Sequence, residues 1–155
     1  MRIGLDFDNT IVSYDTLFHK VACEQGHIPD TVAVNKNAVR DYLRQVGNEA
    51  VWTAMQGYVY GARMDEADAY AGAIAAMRSW KTAGHQLFII SHKTRTPYAG
   101  PAYDLHEAAR GWIAQHLRDE KGAPLFAENA AFFHETKAQK IARIGELQCD
   151  WFVDD

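Results

Sequence analysis

The residues able to do chemistry sit at the ends of short apolar runs. Ile3-Gly-Leu-Asp-Phe-Asp-Asn-Thr10 places Asp6 and Asp8 two apart at the end of the first run. Alternate residues of a strand point the same way, so this spacing predicts two carboxylates side by side. Two like charges held close are unfavourable without a cation or a shared proton. Leu87-Phe-Ile-Ile-Ser91 ends in a hydroxyl, and Trp151-Phe-Val-Asp-Asp155 ends in Asp154 and Asp155. Lys137 follows Thr136, a helix-capping residue, and shares a predicted helix face with Ile141 and Ile144. That phase favours Lys137 over Lys140 as an inward lysine. Such a set suits phosphoryl transfer: a carboxylate nucleophile, a second carboxylate as acid and base, a hydroxyl and an ammonium for the phosphoryl oxygens, and hard oxygen ligands for Mg²⁺.

The elements that must hold these residues follow from periodicity. The four apolar runs, at about 3–7, 86–91, 131–133 and 151–153, are continuous rather than alternating, as in parallel strands buried on both faces. Helical patterns separate the later three. One is predicted from Asp65 to Gly84, with Tyr70, Ala73, Ile74, Met77 and Trp80 as its inner stripe. A second, behind Asp104 and Glu107, carries Leu105, Ala109, Trp112, Ile113 and Leu117. A third follows Thr136. Alternation of strand and helix predicts an α/β fold with a parallel sheet and right-handed crossovers. In open sheets of this kind ligands bind at the carboxyl ends of the strands, where the candidate residues lie.

Residues 15–64 break the alternation. Asp15 is placed to cap a first helix, Ala38, Val39, Tyr42, Leu43 and Val46 recur at helical spacing, and Asn48 can cap a third helix with Val51, Trp52, Met55 and Val59. The expectation is a core of residues 1–14 and 65–155, interrupted by an all-helical insertion.

The 155 residues are 48% hydrophobic and 23% charged, the composition of an ordinary globular chain. A net charge of −4 argues against a nucleic-acid surface. No apolar run approaches the ~20 residues of a membrane span. Two distant cysteines, Cys23 and Cys149, suit a reduced, cytoplasmic protein. The seven histidines have no zinc-type spacing, and no glycine-rich phosphate loop is present.

The ordered set resembles the haloacid dehalogenase-like (HAD) hydrolase superfamily. Asp6-Phe-Asp8-Asn-Thr10 is similar to its first motif, DxDx[TV]; Ser91 resembles the second, Lys137 the third, and Asp154-Asp155 the acidic fourth. The resemblance implies a three-layer, Rossmann-like core with a small helical cap after the first motif, whose base includes a short flap near Tyr14. It implies Asp6 as nucleophile and Asp8 as acid and base, the latter a mark of the phosphatase branch. It implies Mg²⁺ held by Asp6, the carbonyl of Asp8, Asp154 and Asp155. Asn9, Thr10, His92 and Lys93 are the candidate substrate contacts, with Arg95 read as a solvated loop charge. The expected activity is hydrolysis of a small phosphorylated metabolite through an aspartyl-phosphate. An alcohol acceptor, making a phosphotransferase or mutase, and a non-catalytic binding module are the alternatives. A receiver domain is disfavoured because no acid follows Ile90.

Overall fold

A computed structural model describes residues Met1–Asp155. Four parallel strands form its sheet: β1 (Arg2–Leu5), β4 (Gln86–His92), β5 (Ala131–His134) and β6 (Trp151–Val153), in the order β5-β4-β1-β6. The register pairs Leu5 with Ile89 and with Val153, and Ser91 with Phe133. The strand ends therefore form one rim. The α/β class and the parallel sheet are as the apolar runs predict. Burial explains the runs: Ile3, Leu5, Leu87, Ile89 and Ile90 are all enclosed.

Successive aromatics of β5 show that helices cover both faces of this sheet. Phe133 packs edge-on against Phe7, whose other neighbour is Trp112 of α5 (Leu105–His116). Phe132, one residue earlier, lies under the guanidinium of Arg143 from α6 (Lys137–Glu146). The alternation of strand side chains thus puts α5 and α6 on opposite faces. Asp104 caps α5 by accepting the Glu107 N–H, and Thr136 with Gln139 forms a full capping box on α6.

The predicted helix from Asp65 starts later. A 3₁₀ turn at Met64–Glu66 leads into β3 (Asp68–Ala69), which pairs antiparallel with β2 (Val12–Ser13), and α4 spans Ala73–Thr82. The β2–β3 pair is a flap beside the rim. Tyr70 belongs to it: its N–H donates to Ile11 O at 2.9 Å and its side chain is 40% exposed, not part of a buried stripe. Only Met77 of α4 is fully enclosed.

Between β2 and β3 run α1 (Asp15–Glu24), α2 (Lys36–Gln45) and α3 (Glu49–Ala62). Asp15 does not cap α1. Its carboxylate instead accepts the Lys36 N–H at 2.8 Å and ties the start of α2 to the start of α1. Leu17, Phe18, Val21, Val39, Leu43, Trp52 and Met55 join Phe7, Ile11, Met77 and Trp112 in one continuous apolar core. The three helices thus share the core of the sheet layer, with α3 lying against α5. One close seam is made by a pair of glycines on α3. A Cβ at Gly57 would come within 2.6 Å of Pro97, and one at Gly61 would overlap the ring of Tyr103. The bare helix face lets the segment after β4 lie directly on α3. No helix is long and apolar enough to cross a membrane.

Candidate active site

Strand β1 ends at Leu5, so Asp6 and Asp8 lie just beyond it and are not a facing pair. Each has its own lysine. Asp6, 7% exposed, is anchored by its N–H donating to Val153 O at 2.9 Å. Its Oδ2 lies 3.4 Å from Nζ of Lys140, and the same ammonium donates to Asp154 Oδ2 at 3.0 Å. Asp8 is held on the other side of the buried Phe7. Lys93 Nζ donates to its Oδ2 at 2.8 Å and its Oδ1 at 3.2 Å, and the Tyr14 hydroxyl donates to Oδ1.

The inward lysine is Lys140, which corrects the choice of Lys137. Lys137 is exposed at the first turn of α6, while Lys140 is buried. The inner face of α6 runs Lys140, Arg143, Ile144 and Leu147, and Ile141 is 60% exposed. Taking Ile141 as an inner residue turned the predicted face by one position, about 100°.

Ser91 is buried at the end of β4, and its Oγ has no partner within the protein. Asp6 Oδ1 and Thr10 Oγ1 are likewise buried and unpartnered. The Ser91 hydroxyl and the Asp6 carboxylate thus lie side by side on the rim, both shielded from solvent. Asp6, Asp154 and Asp155 each offer a carboxylate oxygen, all within 4.8 Å of one another. Clustered carboxylates with an unpartnered oxygen among them suit a hard divalent cation such as Mg²⁺. The Asp8 side chain is outside that cluster, committed to Lys93 and Tyr14.

The electrostatics follow the geometry. Burial pushes the Asp6 carboxyl above its ordinary range, against the pull of the nearby Ser91 hydroxyl, the Phe7 N–H and the Lys140 charge. Burial acts the same way on Asp154, but the Lys140 ammonium and hydrogen bonding with Asp6 outweigh it and hold that carboxyl below its ordinary value. Tyr14 is raised well above a normal phenol, by burial first and then by the charge of Asp8. It keeps its proton and remains a donor to Asp8.

Lys93 is more than a loop charge. Its backbone is pinned by its N–H donating to His134 O at 2.8 Å and by the His106 ring at 2.7 Å from its carbonyl. Its ammonium also lies 4.5 Å from the centroid of Tyr60 on α3. The Tyr60 hydroxyl accepts from Lys36 Nζ at 2.8 Å, and Lys36 stacks over the rings of Tyr14, Phe18 and Tyr60. Burial lowers the Lys36 pKa, with Asp8 opposing the shift. The three inserted helices thus supply Lys36 and Tyr60, together with Tyr14 at the start of α1, around Asp8. Of these, only Tyr14 was marked by its place in the sequence. Nothing in the residue pattern singled out Lys36 or Tyr60.

His92 is exposed, its ring 3.1 Å from Glu135 O, and it lines a cavity of about 180 Å³ with Asp8, Tyr60 and Lys93. Asn9, in a left-handed conformation at φ 62°, faces a second cavity on the Asp155 side. Arg95 is exposed and paired with Asp104 at 3.3 Å, as a loop charge would be.

No protein-family model matches this chain, and no curated protein matches it. Among solved structures it is similar to a HAD family hydrolase from Deinococcus radiodurans R1, crystallised with bound phosphate and sodium. The identity is 18%, over 99% of this chain and 90% of that one, with a TM-score of 0.36. A likeness this slight says nothing about the site.

Proposed function

We propose that the chain is a Mg²⁺-dependent phosphatase that hydrolyses a small phosphomonoester through an aspartyl-phosphate on Asp6. One observation carries this reading. The buried Asp6 and Ser91 present a carboxylate and a hydroxyl beside a lysine that already bridges two acids. A phosphoryl group needs a nucleophile, a hydroxyl donor and positive charge together, and this rim supplies all three.

In this scheme an Asp6 carboxylate oxygen attacks phosphorus in line with the leaving oxygen. The P–O bond to the leaving group breaks as the acyl-phosphate bond forms. The Lys93 ammonium, hydrogen-bonded to Asp8, passes a proton through that carboxylate to the leaving oxygen, and Asp8 returns to Lys93 the one it takes from the water that attacks the phosphorus of the acyl phosphate. Inorganic phosphate departs and Asp6 is restored. Lys140 and Ser91 hold the non-transferring oxygens, while Tyr14 and Lys93 fix the Asp8 carboxyl where both proton transfers occur. Asp6, Asp154 and Asp155 would hold Mg²⁺, which supplies charge neutralisation for the phosphoryl oxygens when bound.

The test is turnover of a generic aryl phosphate by the wild type and Asp6→Asn, with Mg²⁺ and with a chelator. Metal-dependent turnover that Asp6→Asn abolishes is the expected result. Equal turnover by the two proteins would remove Asp6 as nucleophile. A folded wild type with neither turnover nor Mg²⁺ binding would turn the reading into that of a non-catalytic module.

A further inference from the structure

The cavity that Asp8 lines with Tyr60, His92 and Lys93 measures about 180 Å³. Thr94, Tyr98 and Leu105 complete its lining. In the proposed scheme the leaving oxygen meets Asp8, so whatever that oxygen carries begins at this cavity. The residues on either side of Tyr98 are docked on α3: a Cβ at Gly57 would come within 2.6 Å of Pro97 and 3.0 Å of Ala99 O. The Leu105 N–H donates to Arg95 O at 2.8 Å and closes the base of the same loop. The Tyr98 ring itself is 86% exposed. A ring left in solvent on an anchored backbone is available to a ligand at little ordering cost.

We infer that this cavity receives the leaving group of the substrate, and that the group is a small aromatic alcohol with a single benzene-sized ring, which packs against Tyr98. The inference rests on the phosphatase reading for its leaving group.

Size and lining decide between ligand classes. An apolar cavity of about 150 Å³ takes one benzene molecule. A volume of about 180 Å³ therefore holds one ring with its linking carbon, and a nucleoside, with both a base and a ribose, overfills it. A sugar would bring several hydroxyls to few partners. The Tyr60 hydroxyl is already engaged by Lys36 Nζ at 2.8 Å, which leaves Thr94 and Tyr98 as the free hydroxyls of the lining. A hydroxyl buried without a partner is costly. A carboxylate on the leaving group would face Asp8, and the Lys93 ammonium is taken up by that same acid. The His92 ring is engaged with Glu135 O at 3.1 Å. An aromatic ring needs no polar partner here. It gains ring-to-ring contact with Tyr98 and Tyr60 and apolar contact with Leu105.

The decisive experiment is calorimetric binding of phosphonates to the full wild-type chain in Mg²⁺, because the carbon–phosphorus bond of these probes is not hydrolysed. The probes are methylphosphonate, benzylphosphonate, a hexose phosphonate and a nucleoside phosphonate. Benzylphosphonate is expected to bind about tenfold more tightly than each of the others. Tyr98→Ala should cut its advantage over methylphosphonate to about threefold or less, and Thr94→Phe, which fills the cavity, should act in the same direction. Equal binding of all four, preference for the sugar or the nucleoside, no measurable binding of benzylphosphonate, or an advantage that survives both substitutions would overturn the inference. Aryl phosphate turnover by the wild type and Asp6→Asn separates the two readings. If turnover depends on Asp6 but benzylphosphonate has no advantage, the ring subsite is lost and the phosphatase stands. If the advantage appears without turnover, the ring subsite stands and the phosphatase is lost.

Discussion

Lys140 and Lys137 are three residues apart on one helix, yet their positions differ completely. Lys140 is enclosed between Asp6 and Asp154, and Lys137 is in solvent. Lys140→Ala is expected to lower aryl phosphate turnover by about 10²-fold or more, the usual loss for a charge-stabilising donor. Lys137→Ala should stay within about twofold of wild type. Steady-state kinetics on the two variants checks both. At this scale the sequence was legible where chain order alone placed a residue. Asp6, Ser91, Asp154 and Asp155 follow apolar runs that are strands, and strand ends in a parallel sheet share a rim. Lys140 was not legible, because an exposed Ile141 mimicked a core residue and shifted the phase of α6. The split of Asp6 and Asp8 between two lysines was hidden for a different reason. Strand alternation stops where β1 stops, at Leu5.

Elements were readable where their periodicity was long and capped. The four sheet strands, α5 and α6 fall close to their predicted places. The segment 65–72 did not, because the β2–β3 flap has only two residues a side. Such a short pair has no period to detect, and the apolar residues around it extended the helical pattern backward. The glycines of α3 were equally silent, since a close approach is visible only from its partner. Gly61→Val is expected to destabilise the fold by ~1–3 kcal/mol, because its side chain must displace the Tyr103 ring. Gly111, exposed on α5 with nothing within 4 Å of its Cβ position, provides the contrast. Gly111→Ala should stabilise by about 0.5–1 kcal/mol through helix propensity. Denaturant midpoints of both variants measure the difference.

For the whole molecule, the continuous apolar core joins insertion and sheet, and an ionic seam at the base of the insertion reinforces it. Arg63, after α3, pairs with Glu66 and with Glu24 of α1, and Lys20 pairs with Glu66 at 2.8 Å. Hydrogen bonds from Arg63 first, then Lys20, depress the Glu66 pKa from 4.5 to about 2. The unfolded chain therefore binds the proton at higher pH than the native one. The stabilisation is complete above pH 4.5 and drains away as pH falls toward about 2. Glu66→Gln should lower Tm near neutral pH, and its gap to wild type should narrow at about pH 3. The glycine seam also acts at a distance. It fastens α3, with Tyr60, to the very segment that begins at Lys93. The same segment carries the ammonium that rests on Asp8. Position along α3 and the charge held against Asp8 are thereby linked, so a change made at Gly57 or Gly61 is felt at Asp8 without touching it.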